Sequence, residues 1–124
     1  MSRLVEAVEN VLECAGSRAV MLVDRATGHV FAGAGERSLL LPAESVSEVY
    51  QMAQEAQLAG SGHGHAEAES IVVTTSEHHY VVRPVPVPGG GTDGPLLSVV
   101  FDRSRTNLVL ARRELDGRSG ALLV

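Results

Sequence analysis

Four of the chain's five histidines lie in one stretch, GSGHGHAEAESIVVTTSEHHYVVR, which spans residues 60–83. His63 and His65 precede a β-branched run, and His78 and His79 follow it. Imidazole is the commonest metal ligand, and it is also the side chain whose charge changes near neutral pH. The stretch therefore raises three alternatives, which are a metal site, a pH sensor and a strand with polar ends.

Strand geometry argues against a single metal site within one chain. If residues 70–76 form one strand, its ends lie about 20 Å apart at roughly 3.3 Å per residue. The two histidine pairs then cannot share one ligand shell, and each pair alone is a weak site. An antiparallel two-fold pairing of this strand with its copy would bring the pairs together, so metal binding or pH sensing is expected only in a dimer. No metal or other cofactor is predicted for the single chain.

The remaining chemistry-bearing residues do not form a catalytic set. All ten basic residues are arginine, so the chain has no lysine for a Schiff base, a Walker A loop or general-base chemistry. The GAGERS segment lacks that lysine and does not join a strand directly to a long helix. Glu67 and Glu69 lie in a polar loop, where carboxylates are solvated rather than shifted in pKa. No Ser/His/Asp set stands out, and we predict no enzyme and no catalytic residue.

Charge and hydropathy exclude two further classes of partner. The net charge is −5, and the arginines are scattered along the chain, which argues against nucleic-acid binding. No apolar run approaches the roughly 20 residues of a membrane helix, so stable membrane insertion is not expected. Cys14 is the only cysteine and cannot form an internal disulfide, which fits a cytoplasmic location. Near the end of a helix it is expected to be a small buried hydrophobe.

The hydrophobic periodicity predicts the order helix, two strands, helix, three strands, helix. Apolar residues recur every three or four positions in the helical segments, whereas the strand segments are rich in valine. The expected bounds are 3–15 for the first helix, 18–25 and 29–35 for a strand hairpin, 42–60 for the second helix, and 70–76, 79–85 and 95–102 for the last three strands.

The third helix is expected to follow Asp102 or Ser104 as its N-cap. Leu108, Ala111 and Leu115 mark its buried side, and Arg112 and Arg113 are expected near its carbonyl end. We predict one domain over residues 1–116 and a flexible tail over residues 117–124. The proline- and glycine-rich segment PVPVPGGGTDGP is expected to be a flexible hairpin loop.

Two local patterns resemble the Roadblock/dynein light chain family of small regulatory domains. VMLVDRATGHVFAGAG, residues 20–35, is similar to that family's first hairpin with its turn between an aspartate and a glycine. FDRSRTNLVLARREL, residues 101–115, is similar to its last strand and helix, including Asn107. The resemblance spans residues 3–115.

The resemblance implies an α/β (α+β) fold of the profilin-like sandwich type. A single five-stranded antiparallel sheet would carry helices one and three on one face and helix two on the other. Family members commonly form homodimers through helix two and the third strand, and the short uncharged run SIVVTT suits such an exposed edge. The corresponding interface residues here are Val49, Met52, Ala53, Ala56, Ile71, Val72, Val73, Thr74 and Thr75.

The resemblance also implies a bacterial regulator or scaffold that binds a small Ras-like GTPase without nucleotide chemistry of its own. Four arginines are candidates for pairing with acidic side chains of that partner: Arg103, Arg105, Arg112 and Arg113. The alternative is a profilin-like or PAS-like sensor that holds a small ligand between the sheet and helix two. A sensor needs a pocket with convergent polar groups, whereas the predicted core is mainly Val, Leu and Ala, which favours the regulator.

Overall fold

The computed structural model describes residues 3–61, 69–87, 94–119 and 122. Within these residues, two short 3₁₀ helices, Arg37–Leu39 and Arg103–Arg105, follow the second and the fifth strand. The longer elements are α1 (Arg3–Leu12), β1 (Ser17–Val23), β2 (Val30–Gly35), α2 (Ala43–Ser61), β3 (Ile71–Thr74), β4 (His78–Pro84), β5 (Leu96–Asp102) and α3 (Leu108–Ser119).

The five strands form one antiparallel sheet in the order β2-β1-β5-β4-β3. β5 lies at the centre, and its residues from Leu96 to Phe101 are all buried. A run that is apolar at every position except Ser98 is expected of a strand that is covered on both faces. The order leaves β2 and β3 as the two edges of the sheet.

Alternating side chains divide the interior between the two faces of the sheet. Val20 and Leu22 of β1 pack with α1 and α3, whereas Met21 and Val23 point to the opposite face. On that opposite face α2 covers the sheet, and its buried apolar side chains include Tyr50. The predicted fold class is therefore confirmed, with α1 and α3 on one face and α2 on the other. None of the helices in the described ranges has the length and apolar character needed to cross a bilayer.

The start of α3 differs from the prediction because a 3₁₀ turn precedes the helix. The Asp102 side chain accepts a hydrogen bond from the Ser104 backbone N–H, so it caps that turn instead of α3. Asn107 caps α3, since its Oδ1 accepts from the N–H groups of Val109 at 3.1 Å and Leu110 at 3.2 Å. The expectation of Asp102 or Ser104 as the cap of α3 was wrong.

The end of α3 also lies later than expected. The helix continues to Ser119, so the predicted domain boundary at residue 116 falls inside it, and Arg112 and Arg113 lie in its middle rather than near its carbonyl end. The cause is that the buried side of the helix continues past Leu115: Ser119 is buried, and so is Leu122 beyond the helix. The folded part of the chain therefore extends into the segment predicted to be a tail.

The turn between β1 and β2 depends on one carboxylate. Asp24 Oδ2 accepts hydrogen bonds from the Thr27 N–H and hydroxyl, both at 2.8 Å, and from the Ala26 N–H at 3.2 Å. Gly28 completes the turn at φ +77°. The Thr27 hydroxyl first, and then the backbone N–H groups, hold the pKa of Asp24 below its ordinary value.

This lowered pKa predicts a loss of stability in acid. A carboxyl group whose pKa is lower in the folded than in the unfolded chain stabilises the fold above the unfolded pKa, which is about 4, and that contribution disappears as the pH falls through the folded pKa. Below about pH 4 we therefore expect the free energy of unfolding to fall less steeply in Asp24→Asn than in the wild type. Urea titrations between neutral and acid pH measure this, with the exposed Glu9→Gln as control. Parallel curves for the wild type and Asp24→Asn would contradict the assignment.

Candidate functional site

The two described histidines of the opening stretch do not form a chelating pair. His79 is 8% exposed, and its Nδ1 lies 2.8 Å from the Thr74 hydroxyl. His78 is on the opposite face of β4, with its ring edge towards Tyr80 at 6.0 Å between centroids. No group of three or more potential metal ligands occurs among the described residues. His63, His65 and Glu67 lie outside those residues, so the meeting of histidines across a two-fold axis stays a prediction.

Cys14 does not have the environment of a reactive thiol. It lies just after α1 and is 3% exposed. Burial raises the pKa of the thiol, and the neighbouring Glu114 carboxylate raises it further. The thiol is therefore protonated at neutral pH, and the residue acts as a small buried hydrophobe, as the sequence predicted.

β3 is an open edge whose hydrogen-bonding direction can be assigned. The Thr75 N–H donates to the His78 carbonyl at 2.9 Å, so this residue points its backbone N–H towards β4. Because N–H directions alternate along an antiparallel strand, the N–H of Val73 also points towards β4, and those of Val72 and Thr74 point outward. No strand among the described residues pairs with these outward groups, so a strand of another chain can do so.

The edge at β2 is different because a side chain occupies part of it. The Glu36 N–H donates inward to the Arg18 carbonyl, so the alternation turns the Gly33 carbonyl outward. The Arg37 guanidinium donates to that carbonyl at 2.7 Å. A side chain over a strand edge hinders pairing with another chain, so β3 is the better edge for association.

A stripe of small and apolar side chains on α2 remains largely uncovered. Val49, Met52, Ala53 and Ala56 follow the i, i+3, i+4, i+7 spacing and therefore share one side of the helix. Met52 is 68% exposed, Ala56 is also exposed, and the other two are half-buried. The helix instead turns Val46, Ser47 and Tyr50 into the protein.

The other five predicted interface residues follow the same pattern. Ile71 and Val72 are half-buried, and Val73, Thr74 and Thr75 are exposed. All nine predicted interface positions are thus at least partly accessible in the single chain, which an interface requires.

The four candidate arginines lie in two places rather than in one patch. Arg103 and Arg105 belong to the second 3₁₀ helix, where the Arg103 guanidinium donates to the Thr75 carbonyl at 3.0 Å. Arg112 and Arg113 are exposed on α3, and Arg112 donates to the Ser70 hydroxyl at 2.9 Å. Arg103 and Arg112 therefore also donate hydrogen bonds to the residues on either side of β3, a role that the sequence did not indicate.

One arginine of this region was missed from the sequence. Arg83 on β4 is only 9% exposed and forms an ion pair with Asp116 of α3. It shares a cavity of about 230 Å³ with Arg112 and Arg113. The only available signal was its position in the strand, since Val81 and Arg83 point to the same face and a charged side chain there needs a partner.

A second cavity, of about 500 Å³, lies between the β2 edge and the start of α2. Its lining is mainly aliphatic and includes Met21, Val30, Leu40 and Leu41. Arg37 is a charged member, and its guanidinium already donates to the Gly33 carbonyl. The volume is sufficient for a small ligand, so this is where the sensor alternative would have its pocket.

Comparisons with known proteins agree on the architecture. No protein-family model matches the chain, and no curated protein does. Among solved structures, a Roadblock/LC7 domain from Streptomyces avermitilis has a TM-score of 0.77 at 18% identity, covering 98% of this chain and 95% of that one. The gliding protein MglB from Thermus thermophilus has a TM-score of 0.70 at 24% identity, covering 97% of this chain and 85% of that one.

A further MglB structure, described as having a tetrameric arrangement, has a TM-score of 0.71 at 23% identity. It covers 97% of this chain and 85% of that one. The same sheet and helix arrangement therefore recurs over nearly the whole length of these proteins despite low identity. The chain has the Roadblock/LC7 fold.

Proposed function

We propose that the protein is a cytoplasmic, non-enzymatic homodimer that binds a small Ras-like GTPase and regulates or localises it. The observation that carries the proposal is the open β3 edge together with the uncovered apolar stripe of α2, in a fold of the Roadblock/LC7 type. An exposed edge strand and an apolar helix side both gain stability when a second copy covers them.

The dimer is supported by the two edges of the sheet. Arg37 occupies part of the β2 edge, whereas Val72 and Thr74 turn their N–H groups outward from β3. Antiparallel pairing of β3 with its two-fold copy would join two five-stranded sheets into one. The MglB structure with a tetrameric arrangement is a precedent for self-association in this fold.

The GTPase partner is supported by the resemblance to the Roadblock family, which is an argument by analogy. The chain itself lacks the lysine of a phosphate-binding loop, so nucleotide chemistry would belong to the partner. Exposed arginines, among them Arg105 and Arg113, offer planar guanidinium groups to acidic side chains. The proposed complex therefore combines a basic group on this chain with an acidic surface on the GTPase.

The test is binding to Ras-like GTPases encoded near this gene, each loaded with GDP or with a non-hydrolysable GTP analogue. We expect saturable binding by calorimetry and a roughly tenfold or greater loss in the double variant Arg105→Ala/Arg113→Ala, because charge-assisted contacts at an interface are removed. Arg37→Ala, an exposed arginine at the opposite edge of the sheet, is the matched control. Absence of binding to every candidate in both nucleotide states would contradict the proposal.

The sensor remains the second candidate because of the cavity of about 500 Å³ beside the β2 edge. A sensor would bind a small molecule there without any protein partner, and Leu41→Trp would fill part of the space and weaken that binding. Saturable binding of a metabolite that Leu41→Trp abolishes, with no GTPase binding, would favour the sensor over the regulator.

A further inference from the structure

The smaller cavity, of about 230 Å³, is built from one side of α3 and the ends of two strands. Val109, Arg112, Arg113 and Asp116 follow the i, i+3, i+4, i+7 spacing, so they share one side of the helix. This side lies next to the buried stripe of α3 and reaches over the β3 end of the sheet. Arg83 of β4 contributes from the sheet, and Glu69 and Ser70 contribute from the residues before β3.

The charges in this cavity are not balanced. Among the described residues that line it, three guanidinium groups accompany two carboxylates, and the Asp116 carboxylate is already paired with Arg83. The Nε of Arg83 is buried and has no hydrogen-bond acceptor among the described residues. A buried donor without an acceptor is costly, and a buried charge is normally surrounded by several acceptors. Arg83 therefore has one unpaired buried donor, and the described residues that line the cavity carry more positive than negative charge.

The two remaining arginines can supply donors to the same space. Arg112 uses one of its N–H groups on the Ser70 hydroxyl, which fixes the side chain over the strands and leaves further N–H groups for a ligand. Arg113 is exposed at the mouth of the cavity, and no ion pair occupies its guanidinium among the described residues. Val109, 70% exposed, provides an apolar rim.

We propose that this cavity is an anion-binding site that accepts one carboxylate or phosphate group of a small ligand. The oxygen atoms would accept hydrogen bonds from the guanidinium groups of Arg112 and Arg113, which are exposed, and the positive charge of Arg83 would attract the anion from the sheet. Planar guanidinium groups match the geometry of both oxyanions. The volume limits the ligand to the anionic group and a few additional atoms, and the carboxylates of Glu69 and Asp116 limit it to a low charge. The site does not depend on the proposed GTPase partner.

The test is isothermal titration of the full chain with inorganic phosphate and, separately, with acetate, at constant ionic strength. We expect saturable binding of one anion per chain, weakened about tenfold or more in Arg113→Ala, since a charge-assisted hydrogen bond is lost. Arg3→Ala removes an exposed arginine of α1 that is not among the residues lining the cavity, and it is expected to retain wild-type affinity. Binding of phosphate but not acetate would identify a phosphate site, binding of acetate but not phosphate would identify a carboxylate site, and binding of both would identify a site for either oxyanion.

A variant that is expected to strengthen anion binding makes the test specific to the cavity. Asp116→Asn removes a competing carboxylate and releases the Arg83 terminal N–H groups, so the anion is expected to bind several-fold more tightly. Circular dichroism shows whether each variant is folded. If Asp116→Asn does not fold, the comparison of Arg113→Ala with Arg3→Ala decides between the outcomes. The proposal is overturned if folded wild-type protein binds neither anion saturably, or if Arg3→Ala weakens binding as much as Arg113→Ala.

Discussion

The variant Gly35→Ala is expected to lose roughly 3 kcal/mol or more of the free energy of unfolding. Gly35 closes β2 at φ +83°, a conformation that residues with a Cβ rarely adopt. A Cβ here would lie 2.3 Å from the Arg18 carbonyl oxygen and 2.9 Å from the Ala19 Cα. Both are backbone atoms of β1, and the Arg18 carbonyl is held by the Glu36 N–H. The strands must therefore separate locally to admit one methyl group.

A matched control is available at the other end of the chain. Gly117 lies in α3, and a Cβ there would meet no atom within 4 Å apart from its chain neighbours and the backbone of its own helix. Gly117→Ala is therefore expected to stabilise the protein by about 0.5 kcal/mol, because alanine favours the helix more than glycine does. Urea denaturation of both variants at neutral pH provides the comparison. A Gly35→Ala protein within about 1 kcal/mol of the wild type would show that β1 and β2 can separate at little cost.

The elements that bury continuous or periodic apolar residues could be predicted from the sequence. The apolar run in PLLSVVFD predicts β5, whose residues Leu96 to Phe101 are all buried, and the spacing of Leu108, Ala111 and Leu115 predicts the buried side of α3. These patterns depend on local geometry alone, with period two in strands and 3.6 in helices. The arrangement of the helices on the two faces came instead from the family resemblance.

The features that were missed depend on contacts between distant parts of the chain. Asn107 caps α3 because a 3₁₀ turn intervenes after β5, and a short turn of this kind leaves no periodic signal. Arg83 is paired with Asp116 across 33 positions of sequence, so neither residue alone indicated a cavity. The helical spacing of Val109, Arg112, Arg113 and Asp116 was visible, but only the sheet beneath them shows what that side of α3 faces.

The substitution Val73→Lys is expected to convert the proposed homodimer into a monomer. Val73 lies on the edge strand β3, is 46% exposed, and points to the same face of the sheet as α2. Antiparallel pairing about a two-fold axis would place the two copies of this residue close together. Two lysines facing each other across a partly desolvated interface would cost several kcal/mol, which corresponds to at least a hundredfold weaker association.

A charged residue at position 73 tests the β3 edge more specifically than proline does. The N–H of Val73 points towards β4, so Val73→Pro would break the pairing within the chain and confuse loss of dimer with loss of fold. Val109→Lys is the matched control, because Val109 is also exposed, at 70%, but lies on α3. Light scattering across a concentration series is expected to show a dimer for the wild type and Val109→Lys, and a monomer for Val73→Lys.

Mixing two charge variants distinguishes a broken interface from a damaged strand. Val73→Glu alone is expected to be monomeric for the same reason as Val73→Lys. When the two are mixed, lysine and glutamate would face each other across the two-fold axis, and a heterodimer should form. Failure of the mixture to associate, with both variants folded by circular dichroism, would place the interface elsewhere. A wild type that stays monomeric at micromolar concentration would remove the homodimer from the proposed function, because the open edge of β3 would then have no second copy to cover it.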